Sequence, residues 1–222
     1  MKKVIFVFIL ATSSLFAQKV IKNPGEFTSV KVFDQISVQL IPSDESKVEI
    51  SGNRAEEVEV INKNGELKIR MPFGKLLQGE TIEATVYYQK LQTVEASEGS
   101  YINSETPIKS ITFLVSAKEG AEIKIVLHVQ KANIKLNSGG KIRLTGTTEN
   151  QDIAITSGGE LNAKEFSSKQ TKVSVSAGGE AEVYATDLVD AKVNAGGDIY
   201  IYGSPKQINQ KTVLGGNIKE MK

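Results

Sequence analysis

Hydrophobic and polar residues alternate in short runs along residues 94–220, and a glycine interrupts each run. The clearest copies of this pattern are IKLNSGGKIRL (134–144), IAITSGGELNA (153–163), VSVSAGGEAEV (173–183) and AKVNAGGDIYI (191–201). Weaker copies are VEASEGSYINS (94–104), VSAKEGAEIKI (115–125) and QKTVLGGNIKE (210–220). The first glycine recurs every 18–21 residues. A repeat of this length indicates that copies of one structural unit are stacked.

The copies share a fixed order of apolar and polar positions. With the first glycine as position 0, positions −5, −3, +3 and +5 are apolar in most copies, and the residues between them are mostly polar. This alternation predicts a half-buried strand on each side of a bend, and glycine suits the bend because it accepts a positive φ. The rest of each copy predicts a third, looser strand. Its expected inward residues are Ile108, Val129, Phe166 and Leu188.

Stacking would give each copy the core that it lacks alone. We therefore predict an all-β fold in which residues 93–222 form a single-stranded β-helix, or β-solenoid, of about seven coils. In the last copy Gln210, Thr212 and Glu220 stand at core positions, which predicts the end of the stack. The alternative is an antiparallel sandwich or barrel with glycine in its hairpins. Hairpins would be expected to vary in length more than the 18–21-residue intervals between the first glycines.

Residues 18–92 are also rich in alternating segments, although no repeat is visible there. Runs such as Ile36-x-Val38-x-Leu40 predict strands, and the turn 62–65 predicts a hairpin between Val58-x-Val60 and Leu67-x-Ile69. No stretch has a helical period. This strand-rich N-terminal region is expected to continue into the solenoid.

The first residues have the features of an export signal. Lys2 and Lys3 precede the apolar run 4–11, so residues 1–17 are predicted to be a signal peptide. No later apolar stretch is long enough to span a bilayer, so no transmembrane segment is expected in the mature chain. The chain has no cysteine and therefore no disulfide, and its formal net charge of +1 gives no electrostatic case for nucleic-acid binding.

Three of these features together resemble a bacterial family described as putative autotransporter adhesin, head GIN domain. They are Phe27-x-x-Val30-x-Val32 leading to the strand at 36–40, Gly65-x-Leu67-x-Ile69, and the serial Ser/Ala-Gly-Gly bends. The resemblance covers nearly all of the chain after the signal peptide. It implies a β-helix-like all-β fold, export and a source among Bacteroidetes. It supplies no pattern of functional residues.

Aromatic residues supply the candidate binding surface. Tyr184 and Tyr202 both stand at position +6, on consecutive copies, and Tyr200 at position +4 is expected to point outward beside them. Exposed aromatic rings can contact sugar rings or a protein partner. The alternative is an aromatic ladder that only stabilises neighbouring strands.

Acidic residues supply the candidate metal site. Glu160, Glu180 and Asp198 all stand at position +2, so stacking would place them in one outward row, which we call the acidic row. Repulsion within the row could be relieved by Ca²⁺, or by solvent and neighbouring lysines. The same row is where paired-carboxylate glycoside chemistry would be sought. His128 is the one histidine, so most zinc sites and hydrolytic triads are unavailable. It is expected to be a structural or surface residue, and the alternative is an acid/base or pH-sensitive role.

These observations predict an exported, non-enzymatic, adhesin-like binding protein of the cell surface or periplasm. Its expected partner is a glycan or a protein, and no cofactor is expected other than the possible Ca²⁺. One alternative is a polysaccharide lyase or hydrolase built on a β-helix. Another is a structural module of an envelope assembly.

Overall fold

A computed structural model describes residues 19–221, and the fold is almost entirely β. The predicted signal peptide lies outside the described residues. Two short 3-10 helices are formed by Ala55–Glu57 and Phe73–Lys75. The strands of the described chain are β1 (Val20–Lys22), β2 (Ser29–Val32), β3 (Ser37–Pro42), β4 (Lys47–Ser51), β5 (Glu59–Lys63), β6 (Glu66–Arg70), β7 (Glu83–Tyr88), β8 (Thr93–Ala96), β9 (Tyr101–Lys118), β10 (Glu122–Asn137), β11 (Lys141–Thr147), β12 (Asn150–Ile155), β13 (Glu160–Ser167), β14 (Gln170–Ser176), β15 (Glu180–Tyr184), β16 (Leu188–Asn194), β17 (Asp198–Tyr202), β18 (Gln207–Val213) and β19 (Asn217–Glu220).

The glycine repeat folds as a β-solenoid of about seven coils, as predicted. Two parallel ladders run along it: β12, β14, β16 and β18 carry the residues before each glycine, and β11, β13, β15, β17 and β19 those after it. Equivalent positions of successive copies are partners, for example Ile134 with Ile153. Parallel pairing of successive copies excludes the antiparallel sandwich or barrel.

The predicted third strand does not exist as a separate element. The long strands β9 and β10 run from one bend to the next without interruption, and the later coils contain two strands each. Three of the four inward residues predicted for this part are buried, at Ile108, Val129 and Phe166. Leu188 is only half-buried, because it begins β16 and the alternation turns its neighbour Val189 inward instead.

The bends, here called corners, use two consecutive residues with positive φ. The residue before the first glycine and the glycine itself have φ values of 50° and 74° at Ser157 and Gly158, and the other six copies are alike. The first glycine persists in every copy because this left-handed conformation costs it nothing. The apolar columns at −5, −3, +3 and +5 are buried through the sixth copy, whereas Gln210, Thr212 and Glu220 are exposed at the end of the stack.

The second glycine of a corner is required by packing. A Cβ added at Gly179 would lie 2.5 Å from Cγ2 of Ile155, and one at Gly159 would lie 2.7 Å from Cβ of Leu136. Both neighbours stand at position −3 of the preceding coil. The second corner residue has a side chain in two copies, at Ala121, where the preceding coil has only alanine at −3 (Ala96), and at Ser100. Both of those side chains are buried.

The N-terminal half adds coils to the same stack, out of sequence order. Strands β2 and β3 form a coil that lies between two others, because β2 pairs in parallel with β6 and β8 and β3 pairs with β7 and β9. The antiparallel pairs β5–β6, β4–β7 and β1–β4 cover this end. The β5–β6 hairpin is the one predicted from the turn at 62–65.

In the corner of the β2–β3 coil, Gln35 stands at the position of the first glycine, and Asp34, the residue before it, is 1% exposed. Its carboxylate accepts hydrogen bonds from the backbone N–H groups of Met71 (2.9 Å) and Leu77 (2.8 Å). Its carbonyl accepts one from Gly79 (3.0 Å). A single buried side chain therefore holds the loop between β6 and β7 against the stack.

Candidate functional site

The strands that follow the corners present one continuous outward surface, which we call the post-corner face. It consists of positions +2, +4 and +6 of successive coils, because the inward positions +3 and +5 are buried. On this face Tyr184 is the direct register partner of Tyr202, and Glu182 is the partner of Tyr200. The structure thus brings together the three tyrosines singled out from the sequence, and we call them the tyrosine patch.

Polar and packing contacts hold the tyrosine patch in place. The hydroxyl of Tyr202 donates to Oε1 of Glu182 (3.2 Å), and Lys164 forms an ion pair with the same carboxylate (3.2 Å). The ring of Tyr184 lies over Gly203, where a Cβ would come within 2.8 Å of its Cε1. All three tyrosines are half-buried, so each side chain is partly covered and partly open to a ligand.

The hydroxyls of Tyr200 and Tyr202 stay protonated at neutral pH. The negative charge of Asp198, followed by burial, raises the pKa of Tyr200. Burial, followed by the hydrogen bond to Glu182, raises the pKa of Tyr202. Neutral phenols offer both a donor and an acceptor, next to ring surface that can cover an apolar face of a ligand.

The acidic row lies on the same face, with Glu160, Glu180 and Asp198 as successive register partners. Glu160 forms an ion pair with Lys141 (2.8 Å), and Asp198 accepts a hydrogen bond from Nδ2 of Asn217 (2.7 Å). Among residues 19–221, no three His, Cys, Asp or Glu side chains are grouped closely enough to hold a metal ion. The Ca²⁺ site thus stays a sequence-based prediction, and the row as folded is a charged surface with polar neighbours at both ends.

His128 projects from β10 between the buried residues Leu127 and Val129, as its position in the alternation predicts. It is exposed, and its Nδ1 lies 2.8 Å from Oγ1 of Thr147. Apart from this threonine, it has no side-chain hydrogen bond and no acidic partner in the part of the chain that the structure describes.

A pocket on the post-corner face was missed by the sequence analysis. Ser104 of β9 pairs with Ile125 of β10, and the next pair is Ile108 with Leu127. Residues 105–107 therefore lie opposite the single residue Val126 and form a bulge. Beside it lies a cavity of ≈ 320 Å³, which we call the bulge pocket. Its polar lining residues are Tyr101, Asn103, Ser104, Glu105, Lys124, Arg143 and Thr145. The available signal was the 21-residue step between Gly99 and Gly120, longer than any other.

Comparison with known proteins gives a family and a fold. Residues 26–205 match the family described as putative auto-transporter adhesin, head GIN domain. Among solved structures, a putative adhesin from Bacteroides fragilis aligns with a TM-score of 0.84 at 20% identity, over 94% of this chain and 98% of that one. No curated protein matches the chain.

Two structures from Parabacteroides distasonis are also similar, each covering 92% of this chain and 96% of its own. A putative adhesin aligns with a TM-score of 0.75 at 18% identity. A putative lipid binding protein aligns with a TM-score of 0.68, also at 18% identity. At such identities the likeness concerns the fold. Within residues 19–221, no helix has the length and apolar character needed to cross a membrane.

Proposed function

Because the chain belongs to the putative auto-transporter adhesin, head GIN domain family, we propose that it is an exported, non-enzymatic, adhesin-like protein that binds a glycan or a protein at the cell surface or in the periplasm. The predicted signal peptide at residues 1–17 and the similarity to putative adhesins support this proposal. The main observation behind this proposal is the tyrosine patch, which is held on the parallel strands β15 and β17.

The patch suits a carbohydrate because it combines ring surface with fixed polar groups. Half-buried tyrosines keep one face available for stacking against a sugar ring, and Glu182 and Lys164 fix the position of the Tyr202 hydroxyl. A surface held by neighbouring strands loses little side-chain entropy when a ligand binds, so more of the contact energy contributes to affinity. The acidic row beside the patch offers acceptors for sugar hydroxyls.

Substitution of the patch tests the proposal directly. We expect Tyr200→Ala and Tyr202→Ala, singly and together with Tyr184→Ala, to weaken attachment to an immobilised glycan panel and to extracellular-matrix proteins. Tyr87→Ala is the matched control, since Tyr87 is a half-buried tyrosine at the far end of the same ladder. Circular dichroism melting would verify that the variants remain folded. Attachment that is unchanged in the folded triple variant would refute the assignment of the patch.

The same panel separates the other candidate functions. Release of reducing ends or unsaturated products from acidic and neutral polysaccharides, with and without Ca²⁺, would favour the enzyme. Lipid vesicles belong in the panel as competitors because one similar structure is described as a putative lipid binding protein. Co-purification with other envelope proteins from the native membrane, without any glycan binding, would favour the structural module.

A further inference from the structure

We infer that the bulge pocket binds one carboxylated sugar residue of an acidic glycan, with Lys124 and Arg143 holding the carboxylate. This site is separate from the tyrosine patch and extends the proposed function with a second contact of defined chemistry. Three features of the described residues support it: the two cations, the shape of the bulge, and the mixture of polar groups around them.

Lys124 and Arg143 are unusual among the basic residues of the post-corner face. They are direct register partners on adjacent coils, so their backbones lie about 4.8 Å apart. Two like charges placed opposite each other destabilise a sheet. By contrast, Lys141 on the same face forms an ion pair with Glu160 at 2.8 Å, and Lys164 forms one with Glu182 at 3.2 Å.

Neither Lys124 nor Arg143 forms such an ion pair with any residue in the described range 19–221. Both side chains are exposed and line the pocket. A carboxylate bound between them would relieve their repulsion and would accept charge-assisted hydrogen bonds from both. The arrangement therefore favours an anionic group at this end of the pocket.

The bulge makes the pocket concave and fixes its wall. Residues 105–107 project beyond the ladder because three residues of β9 oppose only Val126 of β10. Oγ of Ser104 donates to the carbonyl of Thr106 (2.8 Å), which stabilises the shape of the bulge. Ile125 and Val126 contribute apolar surface to the lining. A concave site with an apolar floor and a few placed polar groups is typical of small-ligand pockets.

The remaining lining residues fit a sugar better than a simple anion. Burial raises the pKa of Tyr101, so its phenol remains neutral and its half-buried ring can lie against a sugar face. Asn103 and Thr145 offer neutral donors and acceptors. Glu105 also lines the pocket, and its carboxylate can accept hydrogen bonds from hydroxyl groups.

Glu105 also distinguishes between classes of anionic polymer. It would repel a second anionic group in the same pocket, as would Glu122, which is the register partner of Tyr101. An acidic peptide brings several closely spaced carboxylates and no hydroxyls, so it fits these charges less well. One carboxylate surrounded by hydroxyls, as in a hexuronic acid residue, matches the two cations and the neighbouring acceptors together.

Titration calorimetry with the full chain tests the inference. The probes are tetramers of galacturonate and of mannuronate, the methyl-esterified galacturonate tetramer, and a glutamate tetrapeptide. We expect at least one acidic tetramer to bind and the ester to bind about tenfold more weakly or not at all, because loss of the charge removes charge-assisted hydrogen bonds. In Lys124→Gln/Arg143→Gln, affinity for the acidic tetramer should fall by about tenfold or more.

Lys135→Gln is the matched control, since Lys135 is an exposed strand lysine before the corner, on a different face. This substitution should change the affinity for the acidic tetramer by less than about twofold relative to the protein without substitutions, because a distant exposed charge is largely screened. No binding of either acidic tetramer, equal loss of affinity in Lys135→Gln, or unchanged affinity in the double variant would overturn the inference. Equally tight binding of the glutamate peptide at the same residues would assign the pocket to acidic peptides instead.

The variants also separate the two sites. If the double variant binds both tetramers as the unchanged protein does while the tyrosine variants lose attachment, the bulge pocket fails and the proposed function stands. If the tyrosine variants attach normally while the double variant loses the acidic tetramer, the patch fails and the pocket stands.

Discussion

The two glycines of one corner are predicted to resist substitution for different physical reasons. At Gly179 the obstacle is steric, because an added Cβ would lie 2.5 Å from Cγ2 of Ile155 and 3.0 Å from the carbonyl oxygen of Gly159. At Gly178 no atom lies within 4 Å of an added Cβ, but φ is +82°. Alanine at either position should destabilise the fold, but only the effect of Gly179→Ala should depend on Ile155.

The expected magnitudes follow from these contacts. Overpacking by one methyl group costs about 1–3 kcal/mol, and Ile155 cannot yield by rotation because its β-branched side chain is stiff at χ1. Gly179 is not in the left-handed region, so a gain of about 0.4–1 kcal/mol from the less flexible unfolded chain offsets part of this cost. We expect Gly179→Ala to lower the free energy of unfolding by about 1–2 kcal/mol. Gly178→Ala should lower it by about 1–2 kcal/mol through backbone strain alone.

A double-mutant cycle separates the two explanations. Ile155→Ala should cost about 2–5 kcal/mol on its own, because it leaves a cavity in the stack. Combined with Gly179→Ala it should cost about 1–2 kcal/mol less than the sum, since the clashing Cγ2 is gone and the new methyl group occupies part of the cavity. Combined with Gly178→Ala it should cost the sum within about 0.5 kcal/mol.

Urea unfolding monitored by circular dichroism provides the measurement, with the slope m compared across variants to verify that the same surface unfolds. The packing explanation would be refuted if the cycle with Gly179→Ala were additive. It would also be refuted if both glycines showed the same coupling to Ile155, because Gly178 has no contact through which coupling could arise.

Two further perturbations test the N-terminal coils. Asp34→Ala leaves the N–H groups of Met71 and Leu77 without their acceptor, at a cost of about 1–3 kcal/mol for the buried Met71 group and less for the part-buried Leu77 group. The urea midpoint should therefore fall, and chymotrypsin should cut at Phe73. The exposed Asp44→Ala is its control, and equal midpoints for the two would contradict the role of Asp34. Burial raises the pKa of Tyr88 to about 12, above the usual value of about 10. The stabilising contribution of this tyrosine is therefore complete below about pH 10 and is lost as pH rises through about 12. Urea midpoints from pH 9 to 12 should therefore fall more steeply in the unchanged protein than in Tyr88→Phe, and parallel curves would refute this effect.

The repeat could be predicted from the sequence because its determinants are local. Period-two alternation fixes which residues face inward, and the positive φ of the corner fixes the position of the first glycine. Parallel stacking of nearly equal copies then places Tyr184 beside Tyr202 without further information. The third strand was predicted wrongly, because β9 and β10 follow the coil without a break that would mark a separate strand.

The order of the N-terminal coils could not be predicted, because it depends on contacts between distant parts of the chain. The corner of the β2–β3 coil contains Asp34 and Gln35, both with positive φ, so no glycine marks it in the sequence. Its neighbours on the two sides, β6 and β8, both follow it in the chain. The pairing is selected by the hairpin β5–β6 and by the hydrogen bonds of a buried aspartate, which alternation does not reveal.

The lengths of the copies connect the fold to the candidate sites. In a solenoid each coil must return to the same register, so residues in excess of the common step must leave the ladder as a bulge. The 21-residue step places its excess at residues 105–107, beside the bulge pocket. The 20-residue step between Gly158 and Gly178 shifts the register between Arg143 and Thr145, beside a second cavity of ≈ 190 Å³.

Arg143 lines both of these cavities. The post-corner face therefore acquires two concave sites at the copies that exceed the common length. The bulge pocket then depends on a departure from the repeat, whereas the tyrosine patch lies on regularly paired strands. The glycines that first attract attention hold the coils in register, and the extra residues shape what a ligand can contact.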